Sequence, residues 1–316
     1  MVKIGAMYMG GQFTPGTFGR AVEAAGFDSL WAGDHVLHYV DGLTTLGCFA
    51  GCTQSIQLGT SVIVAPFRSP AVLAKALMTA SWIADRQIVA GIGPGGDVLK
   101  EFQVTGANFK TRGAYTDEAL QVMQLLWSGQ KVSFNGRFSR FDDVQMHRAG
   151  NRSDHESVRT PEIWIGGRSE AALRRTVRFG SGYLPYLISP EQLKERVSRL
   201  RELADEAGRA FDEITVACTT FVVPAASHAH AIELGRNAVG FNAVTAENME
   251  RYYVLGSVAE CVDRIHEYIE AGASHVVLGC HGGQDRQLEC FLESAAGILP
   301  ALRQPATPAQ SIEVIG

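Results

Sequence analysis

Short apolar stretches alternate with helix-like segments from one end of the chain to the other, and no other feature restricts the fold as strongly. Strand patterns recur at KIGAMY (3 to 8), FDSLWAG (27 to 33), IQLGTSVIV (56 to 64), RQIVAGIG (86 to 93), PEIWIGG (161 to 167), GYLPYL (182 to 187), EITVACTTFVV (213 to 223) and SHVVLGC (274 to 280). IQLGTSVIV is almost wholly apolar, as a parallel strand covered on both faces should be. Between the strands lie helix patterns. PGTFGRAVEAAG has proline near its start and glycine past its end. RGAYTDEALQVMQLLWSG places Ala119, Leu120, Met123, Leu126 and Trp127 on one face. Eight such units in 316 residues, with no Gly/Pro-rich linker between them, predict a single α/β domain over 1–316, a (β/α)8 TIM barrel. The competing arrangement is a doubly wound sheet, which expects a phosphate fingerprint after its first strand; MYMGGQF is not GxGxxG.

The rhythm breaks twice. KVSFNGRFSRFDDVQM alternates with period two around Asn135-Gly136, which predicts a hairpin, and HRAGNRSDHESVRT reads as an exposed loop, so an insertion lies near 130–160. A helical region follows near 227–253. Loops on the upper face of such a barrel usually select the substrate, so both segments are expected there. Phe138, Phe141, Tyr183 and Tyr186 suggest an apolar organic substrate of middling size.

Several function classes drop out on composition. The net charge of −5 with no basic block gives no footprint for nucleic acid. No apolar run reaches the roughly 20 residues needed to span a bilayer, and MVKIGAMYMGG has no signal-peptide pattern, so a cytoplasmic protein without a membrane partner is expected. Cysteines 48, 52, 218, 261, 280 and 290 form no CxxC pair and are expected as buried free thiols. There is no GxSxG, no HExxH and no metal-binding set; His228 and His230 read as solvent-facing.

A barrel of this kind builds its active site at the C-terminal ends of the strands. Four of those ends carry chemistry. Asp34-His35 closes the second strand, and a histidine beside a carboxylate suits proton transfer or an oriented hydrogen bond to a bound ring. GTSVIVAPFRSP ends the third with backbone that a flat ligand could approach, although a core strand turning at proline gives the same pattern. GIGPGGD ends the fourth, where glycines permit close approach; Asp97 and Glu101 offer acids, though a helix start favours carboxylates anyway. IWIGGRSEAALRR runs into Gly166, Gly167, Arg168 and Ser169, where free amides, an arginine and a hydroxyl suit a phosphate. A glycine-lined, phosphate-ready mouth with one acid/base pair implies a bound cofactor.

GFDSLWAGDH, IQLGTSVIVAPFRSPAVLAKAL, RGAYTDEALQVMQLLWSGQKVSFNGRFSRFDDVQM, PEIWIGGRSEAALRRTVRFGSGYLP and LGSVAECVDRIHEYIEAGASHVVL, in that order, resemble the bacterial-luciferase-like superfamily of flavin- and deazaflavin-dependent oxidoreductases. The likeness runs along most of the chain. It implies a barrel with insertions, coenzyme F-420 (8-hydroxy-5-deazaflavin) or FMN at the C-terminal face, and a homodimer. Residue by residue it implies Asp34 and His35 near the ring, a non-prolyl cis peptide at Ser61-Val62 bracing it, Gly91, Gly93 and Gly95 beside the cofactor, and Gly166, Gly167, Arg168 and Ser169 around its phosphate. Two features depart from the family. TASWIADRQ lacks the usual Leu-Ser-x-Gly-Arg turn, which puts cofactor contacts over 81–86 in question. The general-acid glutamate of some deazaflavin enzymes falls near Gly95-Gly96-Asp97, which leaves Asp97 as its substitute.

The implied chemistry is F-420-dependent hydride transfer to or from a small organic substrate, with His35 as acid/base and Asp34 positioning it. The alternative is a two-component FMN monooxygenase fed by a separate flavin reductase, in which Trp31, Phe67 and Tyr183 form the apolar substrate wall that keeps water away. A non-catalytic flavin-binding barrel is the third reading.

Overall fold

The computed structural model describes residues 2–147, 159–237, 245–280 and 287–303. In chain order its strands are β1 (Lys3–Tyr8), β2 (Ser29–Ala32), β3 (Gln57–Thr60), β4 (Ile63–Val64), β5 (Val89–Gly93), β6 (Lys131–Asn135), β7 (Arg140–Gln145), β8 (Glu162–Gly166), β9 (Gly182–Leu184), β10 (Thr215–Pro224), β11 (Val254–Gly256) and β12 (His275–Cys280). The helices are α1 (Pro15–Ala24), α2 (Gly42–Cys52), α3 (Pro70–Ala84), α4 (Leu99–Thr105), α5 (Arg112–Trp127), α6 (Glu170–Phe179), α7 (Pro190–Glu206), α8 (His228–Asn237), α9 (Ala246–Tyr252), α10 (Val258–Glu270) and α11 (Gln287–Arg303). Strands β1, β2, β3, β5, β8, β9, β10 and β12 pair in parallel, and the β9–β10 and β12–β1 pairings close them into the expected eight-stranded barrel.

Strand side chains alternate with period two, and the closed ring turns that alternation into two cores. Outward residues such as Ile4, Ala6, Leu30, Leu58, Ile165 and Tyr183 pack under the helices. Inward residues, among them Met7, Trp31, Trp164, Leu184 and Phe221, fill the barrel. Trp31 and Trp164 meet with ring centroids 5.3 Å apart, and His275 stands edge-on to both. Trp31 Nε1 donates to Ser29 Oγ at 2.7 Å, so the serine hydroxyl donates in turn to His275 Nε2 at 2.7 Å. That requires a neutral imidazole. Burial first, and Lys3 second, push the His275 pKa down to about 3. Gly182 is glycine because a Cβ there would lie 2.6 Å from the Trp164 ring.

The helices start where the sequence says they should. Thr14 caps α1 ahead of Pro15, and capping boxes open α7 at Ser189 and Gln192 and α10 at Ser257 and Glu260. The expected face of α5 is buried, with Ala119, Leu120, Met123, Leu126 and Trp127 all in the core. Among the described residues, no helix is long and apolar enough to cross a membrane.

Three expectations need correction. The hairpin β6–β7 forms as expected, with Asn135 paired to Arg140 across a loop over 136–139; what fails is the expectation that its aromatic residues face a substrate. The Glu118 carboxylate of α5 closes that loop by accepting from the amides of Arg137, Phe138 and Ser139. Phe138 therefore packs on Tyr115, and Phe141 stacks on Phe134, on the outside of the barrel. Cys280 and Cys290 are joined as a disulfide, because the end of β12 and the start of α11 converge; Cys48, exposed, is free along with Cys52, Cys218 and Cys261. The turn over 81–86 precedes β5, at the barrel end opposite the strand C-termini, where Ser81 Oγ donates to the carbonyls of Arg86 and Arg159. It makes no wall of a site on the upper face. Most of the exposed loop expected over 147–160, and 238–244 of the expected helical region, lie outside the described residues.

Candidate active site

A cavity of about 480 Å³ opens where the barrel strands end. His35, on the segment after β2, forms part of its wall. His35 Nδ1 lies 3.2 Å from both oxygens of Glu101, a residue of α4 that is only 2% exposed. The same carboxylate accepts from the amides of Val36 and Leu37 at 2.8 and 2.9 Å. One buried acid thus fixes both the imidazole and the loop that carries it. With Nδ1 donating to the carboxylate, the other ring nitrogen, Nε2, carries the acceptor lone pair of that tautomer.

Asp34 has a different task from the one its position beside His35 suggests. Its Oδ1 accepts from Gly42 N at 3.0 Å and Arg68 Nη2 at 2.7 Å, while Oδ2 accepts from Val64 N at 3.0 Å and Arg68 Nη1 at 2.7 Å. Four donors saturate the carboxylate. Arg68 also reaches Asp41. Burial disfavours its charge, but the hydrogen bonds and charges of Asp34 and Asp41 outweigh that and raise its pKa. Asp34 therefore ties the ends of β2 and β4 to the start of α2, and the acid at His35 Nδ1 is Glu101.

The Ser61-Val62 peptide is cis. Both residues line the cavity, and Ser61 Oγ lies 2.9 Å from Thr219 Oγ1. Gly93 and Gly166 flank the Val62 side chain so closely that a Cβ on either would come within 2.7 or 3.0 Å of it. Gly91 packs against the Thr60 carbonyl, whose residue also donates through Oγ1 to Gly91 O. Gly91 and Gly93 consequently stay behind the wall and give Val62 its place in it. Gly95, at φ +66°, and Gly96 are the glycines of this loop that reach the cavity, with Asp97 beside them.

At the end of β8, Gly166, Gly167 and Arg168 line the cavity, and Arg168 Nη1 donates to Leu187 O at 2.8 Å. Gly167 sits at φ +115°, which only glycine adopts easily. Ser169 serves as N-cap of α6, accepting from Ala172 N at 3.3 Å.

Of the three apolar wall candidates, Phe67 lines the cavity. Trp31 and Tyr183 do not: Trp31 belongs to the barrel interior below, and Tyr183 points outward into the helix layer while its neighbour Leu184 points in. Period two separates them. The wall contains several residues the sequence did not single out: Tyr39, Asn248, Tyr252 and Tyr253. The signals available were the Tyr252-Tyr253 pair just before β11 and, for Arg68, a charge directly after an apolar strand.

A family model described as luciferase-like monooxygenase matches residues 16–241. An F420-dependent glucose-6-phosphate dehydrogenase of Amycolatopsis mediterranei (strain U-32) is 26% identical, over 96% of this chain and 99% of its own length. Among solved structures, an F420-dependent secondary alcohol dehydrogenase in complex with an F420-acetone adduct superposes with a TM-score of 0.81 at 21% identity, covering 96% of this chain and 99% of that one. The monooxygenase RslO1 from Streptomyces bottropensis superposes with a TM-score of 0.75 at 20% identity, covering 95% and 99%.

Proposed function

The chain belongs to the luciferase-like monooxygenase family and is an oxidoreductase, and within that family we propose that it couples coenzyme F-420 to a small organic substrate, the residues 1–316 serving as one catalytic domain. The observation that carries this reading is His35, held by buried Glu101 and opening on a cavity that the Gly166 to Arg168 loop also lines. Near end-to-end likeness to F420-dependent dehydrogenases supports it.

The donor set fits such a group. Gly166, Gly167 and Arg168 present backbone and a guanidinium suited to its phosphate. Val62, Gly95 and Met7 supply apolar surface for a flat ring. When bound, F-420 supplies a two-electron hydride acceptor or donor. His35 Nε2 takes the hydroxyl proton when an alcohol is oxidised and returns it when a carbonyl is reduced. Glu101 holds that imidazole in one tautomer, and the Asp34–Arg68 pair holds the strand ends that frame it. The reading includes a homodimer, and for the reductive direction a separate reductase that regenerates the cofactor.

Side-by-side fluorescence titration with F-420 and FMN, each oxidised and reduced, tests the proposal. Tighter binding of F-420 is the expected result. A preference for reduced FMN replaces it with the monooxygenase reading and makes a flavin reductase the partner; binding of either without turnover, and without any loss in His35→Ala, leaves the non-catalytic barrel.

A further inference from the structure

Phenols and acids form part of the remaining cavity wall. Tyr186 meets Phe221 edge-on with ring centroids 5.9 Å apart, and Phe221 meets Tyr253 at 5.1 Å, so an aromatic wall runs from just past β9 to just past α9. Tyr39 closes against His35 at 5.4 Å. Tyr186 lines the cavity and keeps 36% of its surface accessible. No described residue hydrogen-bonds to its hydroxyl. Burial, followed by the Tyr253, Tyr39 and Asp97 charges, raises its pKa well above the ordinary phenol value, and burial does the same to Tyr253. Both phenols stay neutral donors.

Charge points the same way. Among the described residues lining the cavity, Arg168 is the only arginine or lysine, and its Nη1 is engaged by Leu187 O. Asp97 and Glu101 share the wall. Among the described residues, an anionic substrate held next to a cofactor phosphate would meet these carboxylates with no second arginine or lysine to offset it, and burying an unpaired charge is among the costliest arrangements in a protein. A neutral oxygen needs only an O–H donor.

We propose that the substrate is an uncharged alcohol or carbonyl compound whose oxygen accepts a hydrogen bond from the Tyr186 hydroxyl, and that the site discriminates against phosphorylated compounds such as glucose 6-phosphate. The inference deepens the F-420 reading and rests on it for the reaction, but the binding it describes is measurable without turnover.

Ligand-observed saturation-transfer NMR on the full chain, with and without F-420, compares acetone, cyclohexanone and glucose 6-phosphate, with Tyr186→Phe as the variant and circular dichroism as its folding control. The expected result is binding of the neutral carbonyls, no binding of glucose 6-phosphate, and carbonyl binding about tenfold weaker in Tyr186→Phe with F-420 affinity unchanged. Glucose 6-phosphate binding as tightly as cyclohexanone, or no neutral compound binding, overturns the substrate class even if the variant fails to fold. Undiminished binding in a folded Tyr186→Phe overturns the role of that hydroxyl. A protein that binds cyclohexanone but not F-420 overturns the cofactor reading alone.

Discussion

Two carboxylates lie near His35 in the sequence or the structure, and their surroundings separate their duties. Glu101 orients the imidazole, so Glu101→Gln keeps an acceptor for the Val36 and Leu37 amides and removes the negative partner of the ring. We expect kcat to fall roughly ten- to a hundredfold, the range in which general acid/base contributions begin, with little change in F-420 affinity or melting temperature. A variant that loses cofactor binding and stability together, with kcat intact, shows Glu101 to be structural only. Arg68→Ala should behave in the opposite way. It leaves the Asp34 carboxylate, whose side chain is fully buried, without its cation, and breaking such a pair destabilises by about 3–5 kcal/mol. Urea denaturation checks this; a loss under about 1 kcal/mol would mean the pair is weakly coupled to the fold. The dipeptide Asp34-His35 stands out in the sequence, where its two residues look like partners, because adjacency is visible in a sequence and the contact between residues 35 and 101 is not.

Elements make a different kind of statement, because a barrel strand contributes to both its layers at once. The floor beneath the cavity joins β2, β8 and β12 through Ser29, Trp31, Trp164 and His275. Its histidine is neutral in the fold, with a pKa of about 3 against an ordinary 6.5. Between those values the unfolded chain binds a proton that the folded chain does not. The contribution is therefore fully present above pH 6.5 and is lost as pH falls toward 3, with a slope of up to about 1.4 kcal/mol per pH unit. Denaturation of the wild type and His275→Asn across that window should show the wild-type advantage shrinking steadily with acidity; a difference independent of pH rules the linkage out. The strands of this floor were legible as apolar runs, and the helices as 3.6-residue patterns with caps. Period two alone could not reveal whether Trp31 and Tyr183 face the barrel or the helices, since strands buried on both faces carry no polar side to mark the register.

At the scale of the molecule, the closed ring was legible because eight alternations leave few other topologies, whereas the cavity was not, because its wall collects residues from loops that lie far apart in sequence. Strand-end motifs supplied His35, Ser61, Val62 and the Gly166 to Arg168 loop. Of the phenols, Tyr252 and Tyr253 came from a segment whose helical character was expected only in outline and Tyr39 from the loop after β2, while Tyr186 lies in the GYLPYL strand pattern; the disulfide came from two chain segments brought together by closure. A ligand that touches so many strand ends should stabilise the barrel as a unit. If F-420 binds the folded chain alone, saturation at 100 times its dissociation constant adds about 2.7 kcal/mol by mass action. The melting temperature should rise with the logarithm of F-420 concentration, by several degrees at that level, and FMN at equal concentration should raise it less. In Arg68→Ala the holo protein should show a similar increment from a lower start if the Asp34–Arg68 pair, of which Asp34 lines the cavity, only frames the site. An increment that vanishes in Arg68→Ala while the variant remains folded would place that guanidinium among the cofactor's own contacts, and the frame and the binding surface would then be one structure.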